Sequence, residues 1–188
     1  MIKNFLFVFT VFFVFISCQD PVLVIPSKSD NSYLSEITID GVPLENFSTS
    51  QYNYKIKTTK KEVTVDAKKV SANSTVTGLG IKNLILGGNL ITLSVYSESE
   101  KNATFYYLNI YCYDDSSAYI YDLKINGESV SNFSYDKTTF NCDLQNNSKI
   151  NIEPLPVNSD ATVNGAGLVI LDLSSDTIPV NFTVTSKD

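Results

Sequence analysis

Ile37-Thr38-Ile39-Asp40-Gly41-Val42-Pro43-Leu44-Glu45-Asn46-Phe47 is written twice in this chain. It returns as Leu123-Lys124-Ile125-Asn126-Gly127-Glu128-Ser129-Val130-Ser131-Asn132-Phe133, shifted by 86 positions (127 − 41 for the glycine). Each copy alternates apolar and polar residues, reaches a glycine, then plants an aromatic. That pattern predicts a half-buried strand, a tight turn and a core anchor. A repeat of this length is a domain, because a solenoid turn is far shorter.

The strands follow outward from that stretch. Residues 34–39 predict the opening strand, turned by Asp40-Gly41 because glycine accepts positive φ. Phe47 comes next, then Tyr54 and Ile56 on one face of a second strand. Val63 and Val65 point inward from a third. Thr75-Val76-Thr77-Gly78 predicts a short strand with a bend, and Gly87-Gly88 a hairpin turn. Ile91, Leu93 and Val95 share one face, as do Tyr106, Leu108, Ile110 and Cys112. About seven short strands with no helical period predict an antiparallel sandwich.

The second copy keeps this order. Phe140 stands seven places after Phe133, as Tyr54 does after Phe47. Ile150 and Ile152 match Val63 and Val65, and Thr162-Val163-Asn164-Gly165 matches Thr75 to Gly78. Val180, Phe182 and Val184 match Ile91, Leu93 and Val95. Nothing then corresponds to residues 104–112. A sandwich short of its last strand has an open edge and uncovered core. Two explanations stand: the sequence continues beyond 188, or a partner supplies the strand by β-augmentation.

This ordered series, occurring twice, resembles the cadherin-like β-sandwich domain found in tandem on bacterial surface proteins. The resemblance covers residues 33–113 and, less completely, 119–188. It implies an immunoglobulin-like sandwich, no cofactor, no catalytic residue, and a role in extracellular interaction or spacing. The expected organisation is a signal segment (1–17), a tether (18–32), a first sandwich (33–113), a linker (114–118) and a second sandwich (119–188) lacking its last strand.

The front end predicts export. Lys3 lies in a short positive segment, and residues 5–16 form an apolar run too short to span a bilayer comfortably. The run closes on Ser17-Cys18, which resembles the bacterial lipobox, with Phe15 where Leu is usual. The resemblance implies cleavage before Cys18 and acylation there; several acyl chains at about 0.8 kcal/mol per buried CH₂ give stable anchoring. An ordinary signal peptide with an incidental Cys is the plainer alternative. Gln19, where Asp would favour inner-membrane retention, leans toward the outer membrane or cell surface. Residues 22–25 are apolar and fit either the tether or a stray strand.

Composition restricts the chemistry. The 188 residues carry a formal net charge of −6 and no His or Trp, and all basic residues are Lys. An acidic chain without Arg is a poor nucleic-acid binder. Without His, neither a Ser-His-Asp nor a Cys-His site is available. Three scattered Cys, one consumed by lipid, do not make a zinc site. Cys112 and Cys142 fall on inward positions of different domains, as buried thiols or, against their spacing, a disulfide. Asp114-Asp115 and Asp122 at the junction lack a calcium-loop pattern and are expected to be solvated charge, so no metal is expected. The chain is therefore expected not to be an enzyme.

One feature departs from a plain sandwich. Phe105, Tyr107 and Tyr111 alternate with the inward residues of the last strand, and Tyr113 follows. Such an aromatic stripe either packs against the second domain or offers a platform to a surface glycan or a protein, since Tyr gives rigid amphipathic contact area.

Overall fold

A computed structural model describes residues 26–143, 147–172, 174 and 177–188. The expected leader, Cys18 and the apolar residues 22–25 lie outside the described residues. All regular structure among the described residues is β.

The first unit has eight strands: β1 (Leu34–Ile39), β2 (Val42–Pro43), β3 (Asn53–Thr58), β4 (Glu62–Lys69), β5 (Thr75–Thr77), β6 (Gly80–Asn83), β7 (Gly87–Tyr96) and β8 (Ala103–Cys112). They form two sheets, β2-β1-β4-β6 and β3-β8-β7-β5. Leu34, Ile37, Val63 and Val65 from one sheet meet Leu93, Val95, Tyr106, Leu108 and Ile110 from the other in a single buried core. Alternation along each strand is what aims these side chains between the sheets.

The second unit has β9 (Ile120–Ile125), β10 (Glu128–Ser129), β11 (Lys149–Pro156), β12 (Thr162–Asn164), β13 (Gly167–Ile170) and β14 (Thr183–Thr185). Its first sheet, β10-β9-β11-β13, reproduces β2-β1-β4-β6 strand for strand, and its second, among the described residues, is β12-β14. Its core is separate, built on Ile120, Leu123, Ile150, Ile152 and Leu171.

The repeat holds at the level of single bonds. Asp40 and Asn126 both sit at φ 52°, followed by Gly41 at 79° and Gly127 at 85°. Positive φ at both central residues makes the type I′ turn whose twist suits a two-residue hairpin. Each turn then clasps the neighbouring strand of its sheet, β4 in the first unit and β11 in the second. The Thr64 N–H donates to Asp40 Oδ1 (2.8 Å) and the Asn151 N–H to Asn126 Oδ1 (2.8 Å). In return the Asp40 N–H donates to the Thr64 carbonyl (2.8 Å) and the Asn126 N–H to that of Asn151 (2.9 Å). The aromatic anchors also repeat: Phe47 stacks on Tyr54 at 5.7 Å, and Phe133 on Phe140 at 5.5 Å. Since Asn serves the second turn, Asp40→Asn is expected to be nearly neutral. Asp40→Ala loses the acceptor and strains the positive φ, so its expected cost is about 1–2 kcal/mol, read by urea titration.

Two expectations are corrected. The sandwich is not wholly antiparallel, because β3 runs parallel to β8, from Asn53 opposite Tyr107 to Thr58 opposite Cys112. The chain crosses between the sheets before and after β3, so no hairpin fixes its direction. Gly87-Gly88 is not a hairpin turn either. The two glycines open β7, opposite Cys112 and Tyr111 of β8. The crossover before them is held by Asn89, whose side chain accepts from the Ile85 N–H (2.9 Å) and donates to the Ile85 carbonyl (2.8 Å).

The end of the expected tether joins the first unit. Ser32 and Thr104 share a hydroxyl hydrogen bond (2.8 Å), and the Asn102 amide donates to the Asp30 carbonyl (2.9 Å).

Candidate functional site

The outer face of the β3-β8-β7 sheet carries the aromatic stripe. Register places Asn53, Tyr107 and Thr92 in one row, Lys55, Asn109 and Leu90 in the next, and Lys57, Tyr111 and Gly88 in the third. All point away from the core, because their neighbours Tyr106, Leu108 and Ile110 point into it.

The second unit leans on the third row and divides the stripe. Tyr111 is 6 % exposed, whereas Phe105 is 41 % and Tyr107 36 % exposed; Tyr113 is half-buried. Of the four residues read as one platform, Phe105 and Tyr107 remain in solvent. Tyr111 instead packs against Tyr121 (5.9 Å between ring centres) and edge-on to Tyr135 (6.1 Å). Burial raises the Tyr111 phenol above its ordinary value, with the Asp122 charge adding to the effect.

The missing side chains at Gly87 and Gly88 have a reason here. The Tyr135 ring lies on that backbone: a Cβ on Gly88 would fall 2.5 Å from Tyr135 Cε1, and one on Gly87 3.0 Å from Cε2. Tyr119 closes the same corner, packing 5.6 Å from Tyr135 and donating its hydroxyl to the Cys112 carbonyl (2.7 Å).

Charge fixes the other side of the seam. Lys55 Nζ lies 2.6 Å from Asp122 Oδ1, with the carboxylate nearly buried and the amine partly exposed. Asp122 Oδ2 accepts the Ser129 hydroxyl (2.8 Å). Lys55 also lies over the Phe133 ring (5.3 Å) and Lys57 over Tyr121 (4.8 Å). Asp122, expected as solvated charge, is thus a buried acceptor joining the two units. Its signal in the sequence was only position: a polar residue between the apolar Ile120 and Leu123. Lys55→Ala removes the charge partner of this carboxylate and leaves it the Ser129 hydroxyl and the Leu123 N–H (3.0 Å), and its expected cost is about 1–3 kcal/mol of seam stability. A double-mutant cycle with Asp122→Ala is the measure.

Between the seam and the open aromatics lies a cleft of about 430 Å³. Asn53, Lys55, Asn109 and Tyr111 line it from the first unit, and Asp122 and Phe133 from the second. It offers amides, one neutralised charge pair and aromatic walls. That set suits a neutral ligand rich in hydroxyls better than an ion.

Tyr119 makes the seam sensitive to alkali. Burial is the main cause that pushes its phenol from 10.0 up to about 12. A raised folded-state value means that its contribution is complete below pH 10.0 and is lost as pH rises through about 12. Tyr119→Phe is expected to remove that loss, seen as a smaller alkaline fall in the denaturation midpoint.

The remaining sequence candidates are placed as follows. Cys112 is buried and Cys142 exposed, and both are free thiols. Cys142 therefore departs from its expected inward position; its segment, residues 139–143, is not a strand. Burial raises the Cys112 thiol above its ordinary value, which keeps it protonated. Asp114 accepts from the hydroxyls of Ser116 (2.8 Å) and Ser117 (3.0 Å) and so shapes the linker turn. These bonds hold its carboxyl below the usual range.

Neither a comparison with protein-family models nor one with curated proteins gives a match.

Proposed function

We propose that this chain is a non-catalytic, lipid-anchored protein of the bacterial cell envelope that serves as an interaction or spacer module. The observation that carries the reading is the seam. Two sandwich-like units meet through a buried carboxylate held by Lys55, a Tyr111-Tyr121-Tyr135 cluster and a ring seated on two glycines. Such a joint resists bending, as a spacer needs, where a bare flexible linker would let the units tumble separately. The lipobox-like Cys18 supplies the anchor, and the likeness to tandem cadherin-like domains points the same way. Expression with the native leader tests the anchor. Fatty-acid label is expected on the protein and lost in Cys18→Ala, which should leave the membrane fraction. Equal membrane retention of unlabelled Cys18→Ala would refute lipid anchoring.

A second reading is favoured by Phe105 and Tyr107, which stay open beside the amide-lined cleft. On it, the protein is an accessory lipoprotein binding a surface carbohydrate or a protein partner through this face. Glycan-array binding by the wild type that disappears in Tyr107→Ser, with folding unchanged, supports it. Binding that survives Tyr107→Ser removes this face from the account.

A further inference from the structure

The two sheets of the first unit turn different faces to solvent. The outward side of β2-β1-β4-β6 is charged, with Glu36, Glu62, Asp66 and Lys68. Among the described residues, the outward side of β3-β8-β7-β5 carries no carboxylate. Its charges are engaged at the seam, Lys55 by Asp122 and Lys57 by the Tyr121 ring. In a chain of formal net charge −6, a sheet face without acids is unlike the average surface.

Aromatic rings stand in file on that neutral face. Tyr96 lies opposite Ala103, Phe105 is two residues further along β8, and Tyr107 two further again. Tyr96, at 42 % exposure, is as open as Phe105 and Tyr107. Alternate residues of a strand are about 7 Å apart, so the rings form a line and not a cluster. Their neighbours across the ladder supply uncharged hydrogen-bonding groups: Ser94 beside Phe105, and Thr92 and Asn53 beside Tyr107. The next outward position is Asn109, where the line enters the cleft of about 430 Å³ between the units. From the Tyr96 row to Asn109 is six residues of β8 (109 − 103), about 20 Å.

A pyranose sugar has a surface for each of these groups. Its C–H face stacks on an aromatic ring, and its hydroxyls both donate to and accept from amides and other hydroxyls. Rings at equal steps suit a ligand that itself repeats, whereas the anchors of a protein interface gather at its centre. A face whose charges are already neutralised matches a sugar without carboxylate or sulfate groups. We infer that the file of rings and the cleft form one track for a neutral, unbranched polysaccharide. The chain lies along Tyr96, Phe105 and Tyr107, and one end is received in the cleft by Asn53 and Asn109. The inference rests on the second reading above, in which this face binds a ligand, and adds the ligand's class and minimum length.

The test titrates the full chain calorimetrically with cellohexaose, laminarihexaose, maltohexaose, xylohexaose and mannohexaose, and with hexagalacturonate as the charged counterpart. At least one neutral hexasaccharide is expected to bind saturably. The disaccharide of the same linkage should bind roughly tenfold or more weakly, because it cannot reach from the rings to the cleft. Tyr96→Ser and Asn53→Ala stand at opposite ends of the track, on exposed side chains. Each is expected to weaken the hexasaccharide about threefold to tenfold, with the melting temperature unchanged. Hexagalacturonate binding as tightly as the best neutral sugar, equal binding of the disaccharide, or indifference to either substitution would overturn the track. If none of the sugars binds, the track falls and the face is left to a protein partner. If Tyr107→Ser abolishes binding while Asn53→Ala and chain length do not affect it, the aromatic face stands and the track alone falls. Binding that ignores Tyr107→Ser removes both.

Discussion

Tyr106→Ala is expected to cost about 3–5 kcal/mol, the usual range for removing a buried aromatic from a core. That is a large share of the roughly 5–15 kcal/mol that holds a native domain. Tyr106 is 0 % exposed and sits where the two sheets and the 47–52 loop converge. Its ring meets those of Phe47 (6.1 Å) and Tyr52 (5.6 Å). Its hydroxyl accepts from the Leu34 N–H and donates to the Thr49 carbonyl, tying the first strand to the loop. Tyr106→Phe keeps the ring and leaves both backbone groups unpaired, so a smaller cost, about 1–3 kcal/mol, is expected. Denaturant unfolding of both variants checks the order. Equal losses, or an alanine variant within about 1 kcal/mol of wild type, would remove Tyr106 from the centre of the first core.

Gly78→Ala is expected to cost roughly 2–5 kcal/mol, combining backbone strain with overpacking. Gly78 has φ +90°, and a Cβ there would lie 2.2 Å from the Thr92 carbonyl oxygen. The second unit repeats the device: Gly165 has φ +81°, and its Cβ would lie 2.5 Å from the Asn181 carbonyl oxygen. The two substitutions should nonetheless differ. Thr92 belongs to β7, which is paired with β8 along its whole length and cannot retreat. Asn181 lies outside the strands, in a segment that can. Gly165→Ala is therefore expected to be the milder change, and equal losses would show that the Asn181 carbonyl is held as firmly as that of Thr92. Paired thermal melts with a probe in each unit measure the difference.

The sequence revealed the local features and missed the long-range ones. Alternation and the Asp40-Gly41 and Asn126-Gly127 pairs announced the strands and hairpins, since each is set by neighbours within a few residues. The Phe47–Tyr54 and Phe133–Phe140 stacks were visible as a repeated seven-residue spacing. The parallel β3–β8 pair was not visible, because direction across a sheet is set by crossovers between sheets and leaves no periodic trace. Gly87-Gly88 read as a turn because glycine signals many things; here a ring from the other unit occupies the space of the side chains. Tyr111 and Tyr107 were indistinguishable as alternate outward residues until the second unit covered one of them. Asp122 looked like surface charge for the same reason: its partner Lys55 lies 67 residues away.

One fold plan written twice, with β8 as the keystone of the first copy, is most directly tested by residue-resolved hydrogen exchange on the intact chain. Comparable slow exchange is predicted in the shared sheet, at Ile37 and Val65 and at Leu123 and Ile152. Between the neighbours of β8 and their counterparts, protection should split: slow at Tyr54, Ile56 and Leu93, which β8 pairs, and fast at Phe140, Cys142 and Phe182, which lie outside strands. Equal protection at Leu93 and Phe182, or slow exchange confined to one unit's shared sheet, would contradict the account.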